Sequence, residues 1–232
     1  MSLLSVEAID ICYGDFQAIY GIDVSVNEGE TLAIVGANGA GKSTLLKAIA
    51  GVMTPKEGKI IFNSQDITAV PAHRRVAAGI SLTPEGRRIF PSMSVEENLK
   101  IGGYSKRKGP WNLTSVFDAI PLVSDIRSKQ GRSLSGGEQQ ATAIARALMS
   151  NPRLLLLDEV SLGLAPVAVE GIYEALPSIT SQGTTVLIVE QDLHHALKVA
   201  DRIQCLLEGR TALEGPASSF TREQLTKAYF GV

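Results

Sequence analysis

Gly36-Ala37-Asn38-Gly39-Ala40-Gly41-Lys42-Ser43-Thr44 decides how this 232-residue chain is read. The run fits the pattern G-x-x-x-x-G-K-[ST]. A short apolar strand at 31–35 leads directly into it, and a helical pattern at 42–50 follows until Gly51 stops it. Glycines let the backbone curl so that successive N–H groups point inward at an anion. The helix that follows aims the positive end of its dipole at the same point. Gly36, Asn38, Gly39, Ala40, Gly41, Lys42, Ser43 and Thr44 are therefore candidate ligands for the phosphates of a nucleotide. Lys42 is placed to reach β- and γ-phosphates, and Ser43 to ligate Mg²⁺.

Outward from this segment, the first 30 residues read as β. Ile22, Val24 and Val26 alternate with polar residues, and Asn27-Glu28-Gly29 offers a turn. Residues 58–62 and 80–83 read as strands, with a short helix at 71–78 between them. From about Arg87 to Asn151 the β signal is scarce. Ser94-Val95-Glu96-Glu97 has the form of a capping box opening a helix. Residues 103–111 form a polar Gly/Pro loop, and 113–123 and 136–149 are helical by periodicity. Alternation resumes with Leu154-Leu155-Leu156-Leu157, a helix at 167–176, a strand at 184–189, a helix near 192–199 and a strand at 203–207. Strands alternating with helices predict an α/β fold: a mainly parallel sheet with helices on both faces. An N-terminal antiparallel β region and a helical insertion are added to it. The expected division is 1–86, 87–151 and 152–232.

Two further segments carry chemistry. The apolar strand ending in Asp158-Glu159 places two carboxylates at the C-terminal edge of the sheet, where open α/β sheets bind nucleotides. Asp158 would hold Mg²⁺, and Glu159 would polarise an attacking water as general base. In Leu134-Ser135-Gly136-Gly137-Glu138-Gln139-Gln140, Ser135 caps a helix whose first turn carries two glycines. Free N–H groups, a hydroxyl and a dipole make a second phosphate site. Taken alone, that run could equally be an ordinary helix start.

Composition narrows the class. Hydrophobic residues make up 44% and charged residues 20%, ordinary globular usage that suits a sizeable core. Lys and Arg number 22 against 24 Asp and Glu, a net charge of −2. That argues against a partner held mainly by electrostatics, whether nucleic acid or anionic lipid. Cys12 and Cys205 lie far apart without metal-like spacing and read as reduced thiols. The N-terminus has no basic, apolar leader pattern, and no run approaches the 18 apolar residues of a membrane span. The expectation is a soluble chain that reaches a membrane only through a partner.

The phosphate loop, the Leu-Ser-Gly-Gly run and the apolar strand with Asp158-Glu159, in this order, resemble the ATP-binding cassette family over nearly the whole chain. The finer resemblance is to ATP-binding subunits of branched-chain amino acid importers. Thr83-Pro84-Glu85-Gly86-Arg87-Arg88-Ile89-Phe90-Pro91, Ser94-Val95-Glu96-Glu97-Asn98-Leu99, Ser161-Leu162-Gly163-Leu164-Ala165-Pro166 and Val189-Glu190-Gln191-Asp192 carry it. The resemblance implies the fold of the P-loop nucleoside triphosphatases with a helical signature subdomain. It implies ATP and Mg²⁺ as ligands and a head-to-tail dimer with ATP between the phosphate loop of one subunit and the signature of the other. The partners it implies are two membrane permeases, a sister ATPase or a second copy, and, indirectly, an extracytoplasmic substrate-binding protein. The place it implies is the cytoplasmic face of the cell membrane. Tyr13 stands where such proteins stack an aromatic on adenine.

Departures from the wider family are local. Glu85 stands where Gln is usual, at a Mg²⁺-contacting position; a carboxylate still suits a hard cation. Gln191 replaces a switch His, so it can donate to the γ-phosphate but cannot titrate. Val160 replaces a Pro, and Ala165 an Asp in the loop that crosses to the other subunit. His194 and His195 read as ordinary helix residues. Arg87, Arg88 and Phe90 form a basic and apolar cluster suited to docking a permease helix. Two alternatives accompany this reading. One is a soluble cassette ATPase without a permease. The other, motivated by Glu85 and Gln191, is a weakly hydrolysing partner within a heterodimer.

Overall fold

The computed structural model describes residues 2–231. In chain order the elements are β1 (Ser2–Tyr13), β2 (Phe16–Asn27), β3 (Thr31–Val35), α1 (Lys42–Ile49), β4 (Glu57–Phe62), β5 (Gln65–Asp66), α2 (Ala72–Ala78) and β6 (Ile80–Thr83). A helical stretch follows: α3 (Val95–Gly102), α4 (Leu113–Ala119), α5 (Pro121–Asp125) and α6 (Gly136–Leu148). The chain closes with β7 (Leu154–Asp158), α7 (Pro166–Ser181), β8 (Thr185–Glu190), α8 (Leu193–Val199), β9 (Arg202–Leu207), β10 (Arg210–Pro216) and α9 (Arg222–Phe230).

Two sheets are built. The larger has the order β10-β9-β3-β8-β7-β6, parallel except for the edge strand β10. The smaller, β2-β1-β4-β5, is antiparallel. Both features match the expected α/β fold with its N-terminal antiparallel region. β3, β7 and β8 are buried along their whole length. Strands covered on both faces read as continuous apolar runs, as Leu154-Leu157 does.

The period-2 alternation of β3 divides the interior. Ala33 and Val35 face a core shared with α3–α9. Leu32 and Ile34 face a second core, where α1 and the antiparallel sheet pack. The register then sets the site. Val35 pairs with Glu190, and Asp158 with Val189, so β3, β7 and β8 end side by side.

Four details differ from the sequence reading. The helix expected at 113–123 breaks into α4 and α5 at Ile120, because Pro121 cannot continue a helix but suits a first turn. α7 extends to Ser181 with Pro177 inside it. The loop at 103–111 opens with a single 3₁₀ turn, Gly103–Ser105. The segment after β9, to which the sequence reading assigns no element, holds β10 and α9.

Candidate active site

The phosphate loop owes its shape to glycine at two contacts. A Cβ on Gly36 would lie 2.4 Å from the Leu206 carbonyl oxygen of β9. Gly41 has φ +98°, and a Cβ there would lie 3.1 Å from the Ala18 carbonyl oxygen of β2. Ala40 is buried beneath the loop, its carbonyl accepting from Gly209 N–H at 3.2 Å. α1 then begins at Lys42, directly behind Gly41.

Lys42 is almost fully buried. Its Nζ donates to the carbonyls of Gly36 (2.8 Å) and Ala37 (3.1 Å) and pairs with Glu159 Oε1 at 3.1 Å. Ser43 Oγ donates to Asp158 Oδ1 at 2.7 Å. Burial raises the Asp158 carboxyl above its ordinary range; the Ser43 hydrogen bond opposes this, and Glu159 and Glu85 add to it. Gln191 Nε2 donates to Glu159 Oε2 at 3.1 Å and to Asn38 Oδ1. Tyr13, about half exposed, shares a 3.2 Å hydrogen bond between its hydroxyl and Thr44 Oγ1.

One cleft of about 490 Å³ gathers Tyr13, Asn38, Gly39, Gly41, Lys42, Ser43, Thr44, Glu85, Glu159 and Gln191 on its lining. Asp158 lies behind Ser43. Phe16, Ala18 and Leu162 also line the cleft, and sequence reading missed them. Phe16 carried a signal: it is a large exposed aromatic across the hairpin turn from Tyr13. His194 and His195 start α8 outside this lining; the His195 ring stacks on Tyr173 at 4.9 Å.

Ser135, Gly137 and Glu138 line a different, largely apolar cavity between α5, α6 and α7. The cap expected of Ser135 is present and takes the form of a capping box. Ser135 Oγ accepts from Glu138 N–H, and Glu138 Oε2 accepts from Ser135 N–H at 2.7 Å. A hydrogen bond from Lys129 is the main cause holding the Glu138 carboxyl below its usual range. The two glycines have packing reasons as well. A Cβ on Gly137 would fall 2.4 Å from the Ala168 Cβ of α7, and one on Gly136 would fall 3.3 Å from the Arg87 guanidinium.

A glycine-rich loop at the end of a buried parallel strand, with Ser43, Asp158 and Glu159 beside it, is the arrangement expected in an α/β ATPase cassette. The comparisons give the family. The profile of the ABC transporter family matches residues 19–161, and the chain belongs to that family as an ATP-binding, ATP-hydrolysing subunit. It is 39% identical to the high-affinity branched-chain amino acid transport ATP-binding protein BraG of Pseudomonas aeruginosa, covering 99% of this chain and all of that one. It is 34% identical to a probable branched-chain amino acid transport ATP-binding protein, LivF, of Archaeoglobus fulgidus, over 95% of both. The lipopolysaccharide export ATP-binding protein LptB of Haemophilus influenzae is 31% identical over 100% of this chain and 98% of that one. Among solved structures, an ATP-binding cassette of an ABC transporter in its ADP conformation superposes with a TM-score of 0.85 at 29% identity, each chain fully covered. Among the described residues no helix is long and apolar enough to cross a membrane.

Proposed function

We propose that this chain is the motor subunit of a membrane importer for branched-chain amino acids. It would work at the cytoplasmic face as a head-to-tail dimer, with a sister ATPase or a second copy. The convergence of Lys42, Ser43, Asp158, Glu159 and Gln191 on one cleft carries the reading of the motor. The likeness to BraG and LivF supports the solute.

In this reading the phosphate loop and Lys42 bind the β- and γ-phosphates, and Tyr13 packs on the adenine. Lys42 trades its contact with Glu159 for the γ-phosphate, which frees that carboxylate. Glu159 then takes a proton from water. The water oxygen bonds to the γ-phosphorus, the bond to the β–γ bridging oxygen breaks, and ADP and inorganic phosphate result. Gln191 holds Glu159 and the Asn38 side chain in register for this step.

Ser43, Asp158 and Glu85 would hold Mg²⁺. All three are hard oxygen donors: Ser43 and Glu85 line the cleft and Asp158 bonds Ser43, and a dication would offset the unfavourable ionisation of the buried Asp158. When bound, Mg²⁺ neutralises charge on the phosphate oxygens.

The division at 1–86, 87–151 and 152–232 is proposed as core, signature subdomain and core. Between the first two lies a cleft of about 330 Å³ lined by Val76, Ser81, Arg88, Phe90, Ile101 and Arg146. Arg146 lies 5.5 Å over the half-exposed Phe90 ring. A basic and apolar groove suits an amphipathic helix of a permease; of the expected cluster it holds Arg88 and Phe90, while the Arg87 guanidinium lies by Gly136. An extracytoplasmic binding protein would deliver the solute to those permeases.

The test is extraction of tagged chain from native membranes in mild detergent, as wild type and as Glu159→Gln. Two polytopic permeases and a second cassette should accompany both forms. The wild type should release phosphate from ATP, and the variant should bind ATP without releasing it. Recovery of this chain with soluble proteins only would overturn the importer. Equal hydrolysis by both forms would overturn the role of Glu159.

A further inference from the structure

Glu190 closes β8 with only 1% of its surface exposed. A carboxylate so placed survives only if its oxygens are satisfied. They are. Oε1 accepts from Tyr173 Oη at 2.5 Å and from Ser161 N–H at 3.3 Å, and Oε2 accepts from Ser161 Oγ at 2.7 Å. Ser161 lies two residues beyond Glu159.

Glu159 itself sits at φ +47°, a region where a residue with a long side chain is strained. Such a conformation persists when its surroundings over-determine it. Three consecutive residues at the end of β8 do this. The Val189 carbonyl accepts from Glu159 N–H at 3.0 Å, Glu190 takes both donors of Ser161, and Gln191 donates to Glu159 Oε2 at 3.1 Å. Val160, between the two clamped residues, is buried. Tyr173 extends the anchor into α7; burial raises the pKa of its phenol far above the usual value, so it remains a donor.

We propose that Glu190 is a positioning residue: through Ser161 and Tyr173 it fixes the turn that aims Glu159 into the cleft. The proposal rests on the reading of Glu159 as general base. Glu190 would not touch ATP, so its loss should slow the chemical step and spare nucleotide binding. Misplacing a reacting group by about 1 Å costs on the order of a hundredfold in rate.

The experiment compares Glu190→Ala, Glu190→Gln, Ser161→Ala and Tyr173→Phe with wild type and Glu159→Gln, in the assembled complex. Hydrolysis gives kcat and KM, calorimetry gives ATP affinity, and thermal unfolding gives stability. Glu190→Ala should lower kcat by about a hundredfold with KM and ATP affinity within roughly threefold of wild type. Glu190→Gln should recover much of the loss: its amide oxygen still accepts from Tyr173 and Ser161 N–H, and its amide N–H₂ donates to the Ser161 hydroxyl. Ser161→Ala and Tyr173→Phe should each lower kcat less than Glu190→Ala. An unchanged kcat in Glu190→Ala overturns the proposal. So does a parallel fall in kcat, ATP affinity and unfolding temperature that Glu190→Gln does not relieve. If Glu190→Ala does not fold, Ser161→Ala and Tyr173→Phe decide by the same split. Wild-type turnover in Glu159→Gln would instead remove the reading of Glu159 on which the clamp depends.

Discussion

Burial raises the Asp158 carboxyl, and Glu159 and Glu85 push the same way, while the Ser43 hydrogen bond pulls it down. An acid whose folded pKa lies above its unfolded value stabilises the fold fully below the unfolded value. That contribution is lost as pH rises through the folded value. The ionised form of Asp158 therefore weighs against folding when no ligand is bound. Asp158→Asn keeps an acceptor for Ser43 Oγ and removes the charge. It should unfold a few °C above wild type near pH 7.5 without ligand, the size of about 1 kcal/mol in a chain this long. The advantage should shrink as pH falls through the raised pKa, and Mg²⁺-dependent nucleotide binding should weaken. Calorimetric melts across pH check this; a constant difference would show that the charge is not the cause. Much at this scale was legible in the sequence. The spacing of Gly36 to Thr44 fixes its own local geometry, and Asp158-Glu159 ends an unmistakable buried strand. Glu190 ends another and was passed over. What it bonds depends on β7 and α7 lying beside β8, which no local pattern states. Gly137 was read for its exposed N–H group, and the contact with Ala168 that also requires glycine there is long-range.

At the scale of elements, α1 carries the glycine-rich loop, and its last carbonyls look outside the helix for donors: Ala48 accepts from Gly51 N–H at 3.0 Å and shares a second donor with Ile49. Arg75 of α2 supplies that second donor. Almost fully buried, it donates through Nη1 to the Ala48 (2.7 Å) and Ile49 (2.9 Å) carbonyls, through Nε to Val70 (2.7 Å) and through Nη2 to Thr68 (2.9 Å). A cation at that end also complements the helix dipole. Arg75→Met fills similar space but leaves four carbonyls without this donor, at about 2–4 kcal/mol. Thermal unfolding should fall by roughly 5–15 °C, and ATP binding should weaken at temperatures where the wild type is intact. A shift below 2 °C would mean that the carbonyls find water. The elements themselves were read well where apolar periodicity is strong. β10 was missed because it is a polar edge strand with little buried surface. α9 was missed because only Leu225 along it is buried.

For the whole molecule, the two segments proposed to bind phosphate line different cavities. The phosphate loop opens into the cleft with Glu159 and Gln191, and Ser135 and Gly137 face the cavity between α5, α6 and α7. In the proposed head-to-tail arrangement the signature of one subunit serves the ATP of the other. ATP drives association only by binding the associated state better than the separate one. Ser135→Arg should therefore leave ATP affinity of the separate chain unchanged, because nothing in its own cleft is altered. In a Glu159→Gln background, where bound ATP is not consumed, the same change should abolish ATP-dependent association in sedimentation. Loss of the cap costs about 1 kcal/mol of helix stability, too little to unfold the chain. A parallel loss of ATP affinity in the separate chain would mean that Ser135 serves its own cleft, and the head-to-tail arrangement would fall.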